Sequence, residues 1–238
     1  MTQLKVGRFA IWLVTFGIYL IPATSLHAQL IVNGSFETPV VPVGGFTNFL
    51  GGSAAITGWT VVGVDTSIAS TSFMQSGITF NAQSGNQWAD MAGVTSNSNS
   101  SGVTQSVTTT SGLAYQLSFY VGSAKDNVFF FPATVDLSIN GGARMSFTNP
   151  AAPTDHLDWK LFSVNFTATG PSTNITFFNG SAANNFISPL DNVSLVVAVP
   201  EPSAFLLIFL ATAIGVAALG FRRYRRRFGK LSASNARS

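Results

Sequence analysis

The stretch Thr134-Val135-Asp136-Leu137-Ser138-Ile139-Asn140, followed by Gly141-Gly142, shows most clearly how this chain folds. Apolar and polar residues alternate with a period of two, as in a β-strand that has one buried face and one solvated face. The two glycines that follow favour a tight turn. The stretch therefore predicts a strand of an antiparallel sheet that ends in a turn at Gly141-Gly142.

The same alternation recurs along the chain, and no segment between residues 29 and 198 carries a sustained 3.6-residue apolar stripe. Asn179-Gly180 predicts a further hairpin turn. About ten short strands separated by turn residues are typical of an antiparallel sandwich. We therefore predict an all-β fold, an antiparallel jelly-roll β-sandwich. Besides 134–140, the predicted strands are 115–121, 161–167, 174–178 and 192–197, with earlier candidates at 31–32, 59–64, 78–80, 88–91 and 102–108.

The first 28 residues have the pattern of a secretory signal peptide. Lys5 and Arg8 precede the apolar run 9–21, Pro22 ends that run, and Ala28 is a small residue at the expected cut before Gln29. The alternative is an uncleaved segment that acts as a short second membrane helix. With the signal removed, the mature chain begins outside the cytoplasm.

The last forty residues predict a membrane anchor. Residues 203–221 carry no charge, and nineteen helical residues at about 1.5 Å each reach roughly 28 Å, the thickness of the hydrocarbon core. Pro200 and Pro202 prevent the helix from extending backwards. The basic cluster 222–227, which includes Arg222 and Arg223, fixes that end in the cytoplasm together with the tail 229–238. The alternative is a buried core helix with a basic end.

Between these two ends, residues 29–198 form one predicted domain that is mildly acidic. It contains three cations and eight anions, so its formal charge is 3 − 8 = −5, and it has no Lys/Arg cluster, which argues against nucleic-acid binding. The chain has no cysteine, which excludes a disulfide scaffold, a thiolate nucleophile and a cysteine zinc site. The cations are Lys125, Arg144 and Lys160; the anions are Glu37, Asp65, Asp90, Asp126, Asp136, Asp155, Asp158 and Asp191.

Two carboxylates at opposite ends of the domain are candidates for a shared site. Glu37 closes the opening stretch Asn33-Gly34-Ser35-Phe36-Glu37, and Asp191 lies in the last predicted strand region. First and last strands are neighbours in many sandwiches, so the two carboxylates are expected to face each other. Two close carboxylates repel unless a proton or a cation lies between them, and calcium prefers such oxygen ligands. The alternative is that Glu37 caps a turn and Asp191 stabilises a loop.

Aromatic side chains are the candidates for contacts with a sugar ring, which needs a flat apolar surface beside hydrogen-bonding groups. The alternative for each tryptophan is a place in the core, because sandwich cores use large aromatic side chains. Enzyme signals are weak: His156 lies between Asp155 and Asp158 in a loop, and no nucleophile elbow, phosphate loop or zinc helix occurs. The predicted ligand-binding residues are Phe129, Phe130, Phe131, Tyr120 and Trp88.

The chain end resembles the PEP-CTERM sorting signal of Gram-negative bacteria. Pro200-Glu201-Pro202, one apolar span and a terminal basic cluster occur in that signal in this order, and the resemblance covers residues 199–228. It implies an exosortase as processing partner, an inner-membrane anchor before processing, and a final location in the cell envelope or outside the cell.

The domain itself resembles the galactose-binding-like jelly rolls of carbohydrate-binding modules and the exported choice-of-anchor C proteins. The order of Asn33–Glu37, Gly58–Val61, Trp88–Gly93 and Asp191–Leu195 accounts for most of the resemblance. It implies a structural calcium at Glu37 and Asp191, to which we add Asn33 of the opening motif. The chain departs from the usual pattern of these modules at Asp90-Met91 and at 121–124.

Together these observations predict an exported, non-catalytic protein of the cell envelope or extracellular matrix that binds polysaccharide through a calcium-braced β-sandwich. One alternative is a structural protein that self-associates and has no glycan site. A further alternative is a glycoside hydrolase that uses Asp155 or Asp158.

Overall fold

A computed structural model describes residues 29–95, 97–126, 132–182 and 187–198, together with the isolated positions 212, 214 and 215. Thirteen β-strands form two large antiparallel sheets and one small hairpin. The sheets pack face to face around a common apolar core, so the predicted all-β sandwich is confirmed for the described part of residues 29–198. The predicted signal peptide and sorting signal lie outside the described residues, and no described helix has the length and apolar character to cross a membrane.

The larger sheet has six strands, and its order brings the first and last strands of the domain into one layer. Its members, in spatial order, are β1 (Phe46–Leu50), β3 (Asp65–Ser70), β6 (Gln87–Asp90), β13 (Pro189–Val197), β8 (Ala114–Ser123) and β11 (Asp158–Thr167). The smaller sheet has five: β10 (Met145–Asn149), β9 (Ala133–Ile139), β12 (Ser172–Asn179), β7 (Gly102–Thr108) and β2 (Thr60–Val62). The separate hairpin consists of β4 (Met74–Gln75) and β5 (Ile78–Thr79).

The alternating stretch 134–139 lies within β9, and the turn after it joins β9 to β10 as an antiparallel hairpin. Asn140 and Gly141 both have positive φ (52° and 70°), which matches the turn residues that such hairpins require. The five main predicted strands all occur, at β8, β9, β11, β12 and β13.

Two local predictions are wrong. Asn179-Gly180 is not a hairpin turn, because β12 is followed by β13 in the other sheet. The buried Asn179 amide donates to Asn97 Oδ1 and its Oδ1 accepts from the Ser181 N–H, which directs the chain across the sandwich. Residues 31–32 are not a strand: the Val32 N–H donates to the side chain of Gln105 instead of to a neighbouring backbone.

Aromatic rings fill the space between the two large sheets. Phe119 packs edge-on against Phe177 with ring centroids 4.9 Å apart, and Phe36 stacks on Trp59 at 5.4 Å. Burial of each such side chain stabilises the fold by about 1.5–3 kcal/mol. Trp59 is fully buried here, which agrees with the core alternative for this tryptophan.

A second, smaller core lies on the outer face of the six-stranded sheet. The β4–β5 hairpin folds over this face and packs Ile78 and Phe80 against Trp88 of β6, with Leu157 and Ile187 beside them. Sheets that are covered on both faces lose the alternation of apolar and polar residues. The outer face of this sheet therefore carries a second apolar cluster and a covering hairpin that a plain sandwich lacks.

Candidate functional site

Glu37 and Asp191 bind the same segment, residues 81–87, which includes most of the loop between β5 and β6 and the first residue of β6. Glu37 Oε1 accepts from the backbone N–H groups of Asn86 and Gln87 at 2.8 and 2.9 Å. Asp191 Oδ2 accepts from those of Gln83 and Ser84 at 2.8 and 3.0 Å. We call these two residues the carboxylate clamp. Chain ends that are far apart in sequence meet here because the segment before Glu37 pairs with β13, where the Val193 N–H donates to Gly34 O.

The clamp places two acidic side chains close together without a basic partner. Burial raises the pKa of Asp191 to about 7, and the nearby Glu37 charge acts in the same direction, against backbone hydrogen bonds that lower it. Neither carboxylate forms an ion pair with a described Lys, Arg or His. A proton or a cation at this position would relieve the repulsion.

The donor set fits a hard cation that accepts oxygen ligands, such as calcium. Asp191 Oδ1 also accepts from the Asn192 N–H at 2.6 Å, and both carboxylates keep further lone pairs that these five N–H groups do not use. The described residues contain no group of three His, Cys, Asp or Glu side chains that could hold a metal, so backbone carbonyls or waters would complete the shell. The Asn33 side chain lies nearby in sequence but closes its own turn, with Nδ2 donating to Thr38 O at 2.7 Å.

A pocket of about 320 Å³ opens beside the second core, between β3, β6 and the β4–β5 hairpin. Its wall is a continuous series of aromatic contacts: Phe46 to Phe73 at 5.5 Å, Phe73 to Phe80 at 5.4 Å and Phe80 to Trp88 at 6.1 Å between centroids. Phe46 is 43% exposed, and Phe73 is partly exposed. The pocket therefore presents aromatic surface to solvent.

Polar groups lie between the rings of this pocket, and Asp90 is the most perturbed of them. Its Oδ1 accepts from the N–H groups of Ser188 and Ala92 at 2.8 and 3.0 Å. Burial raises the pKa of Asp90 to about 7, because those two hydrogen bonds compensate only in part and Asp65 adds a second negative charge. Near neutral pH the Asp90 carboxyl is therefore able to donate as well as accept a hydrogen bond. Ser67 and Gln75 supply further hydrogen-bonding groups at the pocket wall.

Asp65, the neighbour of Asp90, has a structural role. Its Oδ2 accepts from the N–H groups of Val94 and Thr95 at 2.9 and 3.0 Å. Burial alone would raise the pKa of Asp65, but these bonds and those from the Thr95 and Asn48 side chains outweigh it and lower the pKa. The turn at Gly93 and Val94, which forms one rim of the pocket, is thereby fixed to β3.

Strand β6 connects the clamp to the pocket. The Gln87 N–H at its first residue donates to Glu37, Trp88 forms a pocket wall, and Asp90 at its last residue is a polar group of the pocket. The Trp88 Nε1–H also donates to Phe80 O at 2.9 Å, which joins β6 to the hairpin above it. One short strand therefore contacts both the clamp and the pocket.

The predicted ligand-binding residues lie at different places relative to the pocket and the carboxylate clamp. Trp88 is only 2% exposed and contributes to the pocket wall from the second core. Tyr120 is half-buried on β8, directly opposite Asp191 on β13. The sorting residues Pro200, Glu201, Pro202, Arg222 and Arg223, and the platform residues Phe129, Phe130 and Phe131, lie outside the described residues.

The candidate hydrolase residues form no comparable site. The Asp155 carboxylate lies 2.6 Å from His156 Nδ1, and both side chains are exposed, at 79% and 51%. Asp158 is also exposed, at the first residue of β11. An exposed loop gives these carboxyl groups no environment that would separate their acid and base roles.

Sequence reasoning missed Phe46, Phe73, Phe80 and Ile187 as pocket residues and treated Asp90 only as part of a motif. They come from four separate segments that the hairpin brings together. One signal was available: Trp88 and Asp90 are two residues apart in a strand and therefore project from the same face.

Fold and site define an antiparallel β-sandwich that has an aromatic pocket with a partly buried acid on one outer face. The family model of DUF642, described as a protein of unknown function, matches residues 29–196, and the chain belongs to this family. No curated protein matches the sequence.

Among solved structures, the chain is similar to the Stig cyclase Fisc from Fischerella sp. TAU, with 18% identity, 73% of this chain and 99% of that chain covered, and a TM-score of 0.52. It is also similar to the CBM22-1 xylan-binding domain of Paenibacillus barcinonensis Xyn10C (13% identity, 68% and 99% covered, TM-score 0.40) and to a CBM4 structure (16%, 71% and 99%, 0.35). The similarity to the first structure supports the sandwich fold and nothing beyond it.

Proposed function

We propose that this chain is an exported, non-catalytic protein of the cell envelope or extracellular matrix that binds neutral polysaccharide in the aromatic pocket. The observation that supports this most directly is the combination of solvent-facing Phe46 and Phe73 with the Asp90 carboxyl in one pocket of about 320 Å³. Aromatic rings pack against the apolar face of a pyranose, and a carboxyl group forms hydrogen bonds with its hydroxyls.

The same geometry favours neutral sugars over acidic ones. Asp90 already lies beside the second carboxylate of Asp65, which helps to raise the pKa of Asp90. A uronic acid or a sulfated sugar would add a further negative charge next to Asp65 and the partly ionised Asp90. The mildly acidic domain, with its formal charge of −5, repels polyanions as well.

Affinity electrophoresis of the full chain through gels that contain neutral or acidic polysaccharides tests this proposal. Phe73→Ala should reduce retention by a neutral polysaccharide about tenfold, since an aromatic contact contributes about 1 kcal/mol or more. Phe178→Ala, on the outer face of the five-stranded sheet, is the matched control and should be retained like the parent. Equal retention of Phe73→Ala, or a preference for acidic polysaccharides, would contradict the proposal.

A structural protein that self-associates and has no glycan site is the second candidate, because the fold would suit a building block of the matrix equally well. It predicts no retention by any polysaccharide in the same gels. A glycoside hydrolase that uses Asp155 or Asp158 is the weakest candidate, because both side chains are exposed. Asp158→Asn would then abolish release of reducing sugar, whereas the binding proposal expects no release from the parent either.

Calcium at the carboxylate clamp belongs to the same proposal. Glu37 and Asp191 would bind it, and the metal would neutralise their repulsion and brace the loop before β6. A ligand that binds only the folded state stabilises it, so a chelator should lower the melting temperature of the full chain. Glu37→Ala should melt lower than the parent and no longer respond to the chelator, while Asp155→Ala should respond like the parent. A melting temperature of the parent that the chelator leaves unchanged would contradict calcium binding at the carboxylate clamp.

Export and sorting complete the proposal: a signal peptide over residues 1–28, an inner-membrane stage through residues 203–221, and an exosortase that recognises Pro200-Glu201-Pro202. Replacement of these three residues by alanine should leave the protein in the membrane with its tail intact when it is expressed in a host that has the enzyme. Alanine at Ser232 and Ser234 is the control and should leave processing normal. Normal tail removal in the triple variant would contradict recognition of the motif.

A further inference from the structure

Strand β11 is an unusually long free edge. It has ten residues and pairs only with β8, whereas the other edge strands of the two sheets, β1, β2 and β10, have five, three and five residues. An edge strand presents a row of unpaired N–H and C=O groups that is able to pair with another strand, and proteins usually keep such edges short or charged. None of the described residues pairs with the outer side of β11.

The chemistry of this edge does not oppose pairing. Its two charged residues, Asp158 and Lys160, lie at the start of the strand, and residues 161–167 carry no charge and no proline. Three apolar side chains on its inner face are only half-buried: Phe162, Val164 and Phe166. These residues are opposite buried core residues of β8, such as Phe119 opposite Phe162, so the sandwich core is partly open along this edge.

We infer that β11 is a homodimer interface, at which the β11 strands of two copies pair antiparallel and join the two six-stranded sheets into one. Side chains that are directly opposite each other in a sheet lie on the same face, so the inner residues of one strand must meet the inner residues of the other. The register centred on Ser163 satisfies this condition and pairs residues 159–167 of both copies. Phe162 then lies opposite Val164 of the second copy, and the half-open apolar edge is covered.

The charge pattern of the strand favours a second copy as the occupant. In the antiparallel arrangement the charged start of each strand lies beside the uncharged end of the other, so Lys160 is opposite Phe166 of the second copy and no like charges meet. Lys160 already lies over a ring in the monomer, with its Nζ 5.1 Å from the Phe162 centroid. Self-pairing thus places the charged start of each strand beside the uncharged end of the other and requires no other partner.

The absence of cysteine from the chain allows a direct test. Ser163 is exposed on the outer face, and in the proposed register the two copies place this residue directly opposite itself. Cα atoms of such a pair are about 4.5–5.5 Å apart, within the range of a disulfide. The Ser163→Cys full chain in detergent should therefore form a covalent dimer on mild oxidation, and Ser106→Cys, at an exposed position in the interior strand β7, should not.

Ser163→Lys provides the complementary test, because it places two like charges opposite each other without touching the core. Sedimentation of the full chain should give the mass of two copies for the parent and for Ser106→Lys, and that of one copy for Ser163→Lys. Circular dichroism should show the same fold for all three. A monomeric parent, a dimeric Ser163→Lys, or equal cross-linking of the two cysteine variants would overturn the inference.

Discussion

Gly85 shows how tightly the carboxylate clamp encloses its loop. Its φ is +71°, and a Cβ atom there would lie within 2.4 Å of Glu37 Oε1. A side chain at this position would displace the carboxylate from the two N–H groups that it accepts. Gly77, in the turn of the β4–β5 hairpin, has a similar φ of +85°. A Cβ atom added at Gly77 would have no neighbouring atom within 4 Å.

The two glycines form a matched pair for a stability measurement. Gly77→Ala should destabilise the protein by about 1 kcal/mol through its positive φ alone. Gly85→Ala should cost more, by about 1–3 kcal/mol, because the Glu37 carboxylate then loses its charge-assisted hydrogen bonds from the N–H groups of Asn86 and Gln87. Denaturant unfolding of both variants and the parent measures the difference. Equal destabilisation by the two substitutions would show that the Glu37 contact contributes nothing.

Sequence reasoning could pair Glu37 with Asp191 because the ends of a sandwich domain meet. It could not predict that both bind residues 81–87, because all four N–H donors are backbone groups whose direction depends on the path of the chain. For the same reason the role of Asn33 could not be derived: its amide closes the turn at Thr38. Whether the clamp binds calcium stays a prediction.

Among the strands, the alternation of apolar and polar residues identified those that have one buried face and one solvated face. β9 and β12 follow it closely, with buried residues at every second position. β3 was missed because all six of its residues are buried, so its sequence Asp65–Ser70 carries no period of two. β1 is short and lies between glycine-containing turns. The sequence gives no signal that Phe46 of β1 packs against Phe73 beside the β4–β5 hairpin.

The two elements β6 and β13 should make the stability of the protein depend on pH. Asp90 and Asp191 have pKa values of about 7 in the folded state, against 3.8 for an ordinary aspartate. Between these limits the folded state binds more protons than the unfolded state, so stability contributed by protonation falls as pH rises from about 4 to about 7 and is lost above 7.

Substitution isolates this contribution. In the presence of a chelator, the free energy of unfolding of Asp191→Asn relative to the parent should rise between pH 4 and pH 7 by about 2–4 kcal/mol, because the variant has no carboxyl to deprotonate. Asp158→Asn, at an exposed position, should follow the parent. Saturating calcium should reduce the difference, since the metal favours the ionised Asp191. A difference that does not change with pH would contradict the raised pKa.

The side chain of Gln87 fixes the segment after Glu37 to β6. Its Nε2–H₂ donates to Phe36 O and Pro39 O at 2.6 and 2.9 Å, and its Oε1 accepts from the Val41 N–H at 2.6 Å. Gln87→Leu keeps the volume but leaves three buried backbone groups unpaired. It should destabilise the protein by about 3 kcal/mol or more in thermal or denaturant unfolding, and Gln116→Leu, which is exposed on β8, by less than about 0.5 kcal/mol.

At the scale of the whole molecule, the pocket and the proposed dimer interface lie on different parts of the six-stranded sheet. The pocket lies over β3 and β6, and the interface lies at the β11 edge, three strands from β6. A dimer joined at β11 would therefore leave both pockets accessible. Two pockets on one continuous sheet would bind a repeating polysaccharide with an avidity that one pocket alone lacks.

The most direct measurement for this account is a crystal structure of the protein with an oligosaccharide from a neutral polysaccharide that retains it. Sugar binding in the aromatic pocket predicts one sugar ring against Phe46 and Phe73, with a hydroxyl within hydrogen-bond distance of the Asp90 carboxyl. A sugar bound at another surface, such as the outer face of the five-stranded sheet, with the aromatic pocket free of sugar, would contradict it.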